Sequence, residues 1–150
     1  MRLNSRFLLL LLLLWAGHGL AQGCSIRVIA LQFGNYNPLF GGTLDATGDV
    51  FVTCDSAVPY SITIDAGIHS GGNFGSRRME RIGGGDFLTY NIFRDPGRIE
   101  IWGDGSGSTF VQAAVSTGIE SRFIAYGRLP AGQNVSIGTY TDSLSVLVEW

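Results

Sequence analysis

The sequence contains no lysine, so all ten of its basic residues are arginines. It also lacks long helix-forming runs of Ala, Leu, Glu and Lys after residue 20, whereas glycine is abundant, with 22 residues. This composition favours an all-β domain with many turns. At 150 residues, the chain is long enough for one domain with a single core.

Charged residues are missing from positions 7–15, an unbroken apolar run that follows two arginines in residues 1–6. With the small residues before Ala21, these features predict a secretory signal peptide, residues 1–21, cleaved between Ala21 and Gln22. The apolar run is too short to span a membrane. A lipoprotein would need a cysteine at the cut, and Cys24 lies three residues beyond Ala21. We therefore expect an exported mature chain, residues 22–150, that forms one domain without a membrane span.

Basic residues become scarcer in the mature chain, because cleavage removes Arg2 and Arg6. Eight arginines then face twelve acidic residues, for a net charge of −4. This balance excludes the electrostatic footprint of a nucleic-acid-binding protein. His69 is the one histidine left, and no GxSxG motif or cluster with metal-ligand spacing is present. The sequence therefore predicts no catalytic residues, no metal site and no cofactor, and hence a protein that is not an enzyme.

Only two cysteines occur, Cys24 and Cys54. In the oxidising compartment that a signal peptide implies, two cysteines usually form one disulfide bond. We therefore predict a bridge between Cys24 and Cys54, with two buried free thiols as the alternative.

Stretches of alternating apolar and polar residues predict most of the strands. They lie at residues 49–54, 60–66, 87–93, 99–102, 110–115, 123–129 and 138–150. An additional strand begins at Cys24, but Leu31 and Phe33 lie on the opposite phase from Cys24, so we expect the chain to change face near Ile29. Short strands separated by turns favour an immunoglobulin-like β-sandwich, with a small barrel or a jelly roll as alternatives.

The last predicted strand, residues 138–150, has one apolar face. That face is formed by Leu144, Val146, Val148 and Trp150. Because the sequence ends on this strand, its far edge has no following segment to pair with, and we expect it to need a partner.

A glycine-rich stretch, residues 67–85, contains Arg77, Arg78 and Arg81. We interpret it as a long solvated loop with a short strand around Met79. The alternative is that the three arginines bind an anionic sugar or an acidic partner.

Eight short motifs occur in order along the mature chain. They are FGNYNP at 33–38, LDATG at 44–48 leading to VTC at 52–54, PYSI at 59–62, RRM at 77–79, LTYN at 88–91, WGDG at 102–105, YGRLPAGQ at 126–133 and GTYTD at 138–142. This ordered set resembles the spore coat protein U domain family, small secreted β domains that include pilin subunits of archaic chaperone-usher pili.

The resemblance implies an immunoglobulin-like sandwich that lacks its last strand and carries a groove. A periplasmic pilus chaperone would fill the groove first, and a neighbouring pilin-like subunit would replace it at an outer-membrane usher. The expected product is a secreted, non-enzymatic structural or adhesive subunit of a cell-surface fimbrium, with a role in attachment or biofilm. Leu144, Val146, Val148 and Trp150 match the family's last strand, so they are the expected groove wall.

One departure from the family concerns the donor segment. Only Gln22 and Gly23 precede Cys24 in the predicted mature chain, whereas a donor strand needs about ten residues. A subunit that accepts a strand but donates none would sit at the tip of the fibre. The alternatives are a free-standing secreted spore-coat or matrix protein, and a glycan-binding adhesin whose specificity lies in residues 67–85.

Overall fold

The computed structural model describes residues 23–39 and 41–150, so the predicted signal peptide and its cleavage between Ala21 and Gln22 lie outside the described residues. The strands are β1 (Cys24–Ile29), β2 (Leu44–Cys54), β3 (Pro59–Ile64), β4 (Arg77–Arg81), β5 (Phe87–Phe93), β6 (Gln112–Val115), β7 (Ser121–Leu129), β8 (Tyr140–Thr141) and β9 (Val146–Glu149). One turn of 3-10 helix covers Phe74–Ser76. Within the described ranges, no helix is long and apolar enough to cross a membrane.

The strands form two antiparallel sheets. One has six strands in the order β1-β2-β7-β5-β4-β8, and the other has three in the order β6-β3-β9. Apolar side chains from both sheets fill the space between them, with Ile62 and Trp102 fully buried. The predicted all-β sandwich is therefore confirmed.

The predicted disulfide bond joins Cys24 to Cys54. These residues are direct cross-strand partners in the β1–β2 pair, and Cys54 is buried. The bridge thus fastens the first strand to the second at one end of the sandwich.

The short strand predicted around Met79 within residues 67–85 is confirmed as β4, but the segment that follows it is not part of the predicted long loop. Residues from Arg77 onward form β4, which makes a hairpin with β5. Gly83, Gly84 and Gly85 turn the chain with φ values of 97°, 82° and 98°, a region that only glycine enters readily. The glycine-rich composition therefore marks a tight hairpin and not an extended loop.

The three arginines of this stretch do not gather at one surface. Arg77 is fully buried, the Arg78 guanidinium lies 5.3 Å from the centre of the Phe87 ring, and Arg81 Nε lies 3.6 Å from Asp86 Oδ2. The interpretation of Arg77 as a solvated residue was wrong, because its donors face backbone carbonyls inside the sandwich. These three side chains therefore do not form a common anion-binding site.

The predicted strand at residues 138–150 is divided into β8 and β9, which belong to different sheets. The chain crosses between the sheets at Asp142. Its carboxylate accepts hydrogen bonds from Tyr90 Oη at 2.7 Å and from the backbone N–H of Ile68 at 3.2 Å and of Ser143 at 2.9 Å. A Cβ at Gly67 would collide with this carboxylate. Side-chain contacts therefore take the place of strand pairing at the crossing.

Two other segments differ from the prediction. Strand β2 begins at Leu44, five positions earlier than expected, because β7 pairs with it from Leu44 to Val52. Residues 99–102 form only isolated bridges, Phe93 to Ile101 and Trp102 to Phe110. Trp102 is in the core and donates from Nε1 to the Ile62 carbonyl at 2.9 Å.

Candidate functional site

Strand β9 lies at the edge of the three-stranded sheet. It pairs with β3 on one side, with Val146 opposite Ile64 and Val148 opposite Ile62. Within the described part of the chain, no strand pairs with its other side. One row of backbone N–H and C=O groups on β9 is therefore available to a further strand.

The inner face of β1 is uncovered. Val28 lies opposite Val50, and Ile26 lies opposite Val52; residues directly opposed in an antiparallel pair point to the same face. Val50 and Val52 are 2% and 1% exposed, whereas Val28 and Ile26 are 49% and 42% exposed. The second sheet therefore covers β2 but stops about one strand width short of β1.

After β1, residues 30–36 turn into the sandwich. The chain crosses Gly48 so closely that a Cβ there would lie 2.8 Å from the Ile29 carbonyl oxygen. Leu31 and Phe33 then pack over Gly127. This confirms the change of face near Ile29 and explains why Leu31 and Phe33 have the opposite phase from β1. We call residues 30–36 the wall segment.

The wall segment pairs with no strand in the described part of the chain. Its backbone makes no hydrogen bond to another backbone group among those residues. The Phe33 ring packs edge-on against Tyr90, with 5.8 Å between ring centres. Side chains thus anchor the wall segment, while its backbone donors and acceptors have no backbone partner in the part of the chain that the structure describes.

An open groove of about 1020 Å³ lies between the wall segment and residues 135–146. Its floor is apolar and is formed by Val50, Ile64, Leu88, Ile92, Ala125 and Leu129. Among the described residues, the charged ones that line it are Asp49 and Asp142, and no arginine does. Its shape and lining therefore suit an extended apolar segment more than a charged ligand.

The four residues of the last strand that were predicted to form the groove wall lie in three different environments. Leu144 and Val146 line the groove. Val148 is half-buried and packs against the core. Trp150 is 58% exposed and lies in a separate shallow depression with Pro59, Ser61 and Val115 among its neighbours.

A polar pair of a buried tyrosine and a half-buried aspartate forms part of the groove lining. Tyr90 donates its hydroxyl to Asp142, and both residues line the cavity. Burial, followed by the hydrogen bond to Asp142, raises the pKa of Tyr90 well above its usual value. The tyrosine therefore stays protonated and holds the crossing point of the last strand against the groove floor.

No metal site is found among residues 23–39 and 41–150, where no three His, Cys, Asp or Glu side chains are grouped. His69 Nδ1 lies 3.2 Å from Glu80 Oε2 of β4, and this is a contact between two half-buried side chains. The described residues thus bring together no set of ligands that could hold a metal.

Sequence reasoning missed the wall segment and Gln133. The FGNYNP motif at 33–38 reads as a turn, and its only structural signal was the reversed phase of Leu31 and Phe33. The Gln133 side chain forms hydrogen bonds with the backbone N–H and C=O of Thr89, 44 residues away in sequence. No alternation pattern around Gln133 indicates such a contact.

The family model and the curated relative both indicate the same protein family. The family model described as Spore Coat Protein U domain matches residues 13–147. Protein U of Myxococcus xanthus is 32% identical over 123 residues, covering 76% of this chain and 68% of the relative. A crystal structure of a chaperone–tip adhesion subunit pre-assembly complex from archaic chaperone-usher Csu pili of Acinetobacter baumannii aligns with a TM-score of 0.64 and 21% identity. The alignment covers 86% of this chain and 40% of that chain, and it shows the shared fold.

Proposed function

The chain belongs to the spore coat protein U domain family, and we propose that it is a non-enzymatic subunit of a chaperone-usher fibre that accepts a β-strand into its groove. The groove would first take a strand of a periplasmic pilus chaperone. A strand of a neighbouring pilin-like subunit would then replace it at an outer-membrane usher. The subunit would be exported through the periplasm and would end on the cell surface, with a role in attachment or biofilm.

One observation carries this proposal: two backbone edges that have no pairing strand among the described residues border the same apolar groove. They are the free edge of β9 and the wall segment. A strand added beside β9 would use its unpaired N–H and C=O groups, and its inward side chains would cover Ile26 and Val28. Strand addition of this kind obtains affinity from backbone hydrogen bonds and specificity from alternate side chains.

The groove contacts follow from the observed lining. In this proposal, Leu144 and Val146 contact the incoming strand directly, and Val148 supports them from the core. Trp150 lies beyond the main cavity and would contact only an occupant that extends past β9.

A self-filled variant tests the proposal without a partner protein. A two-residue turn and a strand of about ten alternating valines and threonines, added after Trp150, can fold back along β9. We expect the free energy of unfolding to rise by about 2 kcal/mol and the melting temperature by roughly 5–10 °C, because the added valines cover the exposed inner face.

The matched control carries the same extension with prolines in place of the threonines. Proline has no N–H and cannot pair at a strand interior, so this variant should melt like the unextended chain. Equal melting temperatures for the two extended variants would count against strand acceptance.

Position in the fibre and the coat alternative can be tested together. The solved structure above contains a tip subunit, and we propose the tip for this chain as well. Co-expression with a periplasmic pilus chaperone should yield a complex, and an unheated SDS gel should show no ladder of this subunit alone.

The family's description as a spore coat domain favours the second candidate, a free-standing secreted coat or matrix protein. Recovery of a stable monomer that does not bind the chaperone would support that candidate.

A further inference from the structure

We propose that Tyr36, Gln133 and Thr89 form a clasp that positions the wall segment to receive the incoming strand. The inference rests on the proposed function, because it assigns these residues to the same groove. Tyr36 is the last residue of the wall segment and lines the groove. Its role would be positioning: it holds one of the two backbone edges in place.

The clasp begins at a gap in the six-stranded sheet. Strands β5 and β7 pair with Asn91 opposite Arg128, and the same register extended by two residues places Pro130 opposite Thr89. Proline has no N–H to donate at that position. Pro130 therefore offers no N–H to the Thr89 carbonyl on this side of the sheet.

The Gln133 side chain fills the gap. Its Oε1 accepts from the Thr89 N–H at 2.7 Å, and its Nε2 donates to the Thr89 carbonyl at 2.8 Å. Nε2 also lies 3.1 Å from the Pro130 carbonyl. The carboxamide thus accepts one hydrogen bond from the Thr89 backbone and donates one to it, as the backbone of a neighbouring strand would. These two bonds fix Gln133 relative to β5.

Gln133 in turn fixes the wall segment. Its backbone N–H donates to the Tyr36 hydroxyl at 2.6 Å. Within the described residues, this is the one hydrogen bond that ties residues 30–36 to the rest of the domain. At the other end the segment is held by the crossing over Gly48 and by β1. Loss of the Tyr36 hydroxyl would therefore free one end of a backbone edge.

The test uses Tyr36→Phe in the unextended chain and in the self-filled variant. We expect the gain in melting temperature from the added strand to fall by about half, because the strand must then order a loose edge and one hydrogen bond is lost. Hydrogen exchange of amides 31–36 in the self-filled variant should become faster. Gln133→Leu, which removes the pairing with Thr89, should reduce the gain in the same way.

Tyr60→Phe is the matched control. Its hydroxyl is buried and has no hydrogen-bond partner within the described part of the chain, and it does not line the groove. The same loss of one oxygen there should leave the gain unchanged.

The outcomes separate the clasp from the proposed function. If the added strand gives no gain in the native background, strand acceptance fails and the clasp fails with it. If the gain is present and Tyr36→Phe leaves it unchanged, the clasp alone is overturned. If Tyr36→Phe lowers both melting temperatures equally, the hydroxyl is only structural, and the clasp is again overturned.

Discussion

Replacing Arg77 with methionine should lower the free energy of unfolding by about 5 kcal/mol and leave little folded protein, because several buried acceptors lose their partner at once. The Arg77 side chain is fully buried. A loss of this size is comparable to the whole stability of many small domains, which is about 5–15 kcal/mol. Soluble periplasmic yield and the midpoint of urea unfolding measure it.

The expected loss follows from the position of Arg77 between the two sheets. Its guanidinium donates to the carbonyls of Asp65 at 2.9 and 2.7 Å, Ile64 at 3.2 Å and Trp102 at 2.7 Å, and to Asn91 Oδ1 at 2.8 Å. Arg77 belongs to β4 of the large sheet, whereas Ile64 ends β3 of the small one. One side chain thus ties the sheets together.

Burial also lowers the pKa of Arg77 from its usual value. Lysine would carry the charge but has three donors on one atom and no planar fork. Arg77→Lys should therefore recover only a small part of the lost stability.

Arg78→Met is the matched control, since it makes the same change at the next position. Arg78 is half-buried and its main aromatic contact is with the Phe87 ring at 5.3 Å. Its replacement should cost less than about 1 kcal/mol. Similar unfolding midpoints for the two variants would show that the buried network is not a main source of stability.

Arg77 also shows where prediction from sequence stops. Period-two alternation located the strands around Cys54, Ile62 and Tyr90, because each has one face in the core. Arg77 lies within the glycine-rich stretch 67–85, whose composition is typical of a solvated loop. Its burial depends on carbonyls about 12 to 25 residues away in sequence, and no local pattern records such contacts.

The groove was predictable in part for the same reason. Leu144 and Val146, which the alternation placed on one apolar face, line the groove in the structure. The wall segment and the crossing at Asp142 depend on packing over Gly48 and on the hydrogen bond from Tyr90. In a sequence, a glycine that permits close packing and an aspartate with a distant partner both resemble turn residues. The wall segment and the crossing at Asp142 are therefore recognisable only in the folded chain.

Removing the disulfide bond, by replacing both Cys24 and Cys54 with alanine, should lower the free energy of unfolding by about 3–4 kcal/mol. The estimate comes from the loop entropy of a cross-link between residues 30 positions apart. Alanine avoids burying a hydroxyl at position 54, where the cysteine is 2% exposed. Thermal unfolding of the purified double variant against the native protein measures the loss.

The bridge should also affect the groove, because β1 pairs with β2 alone among the described strands and leads directly into the wall segment. Without the bridge, β1 keeps its backbone pairing, but the apolar contacts of Ile26 and Val28 remain incomplete. We therefore expect hydrogen exchange of the β1 amides to become faster in the unfilled double variant. A strand added after Trp150 should restore much of this protection, since its side chains would cover the same two residues.

This comparison separates two roles of the disulfide bond. If the bridge acts only on the unfolded chain, the loss of stability will appear in thermal unfolding while β1 exchange in the native state stays slow. If it also holds the edge of the groove, β1 exchange will be fast in the empty variant and slow in the filled one. Exchange that is equally fast in both would mean that an incoming strand does not cover β1, and the proposed path of that strand would be wrong.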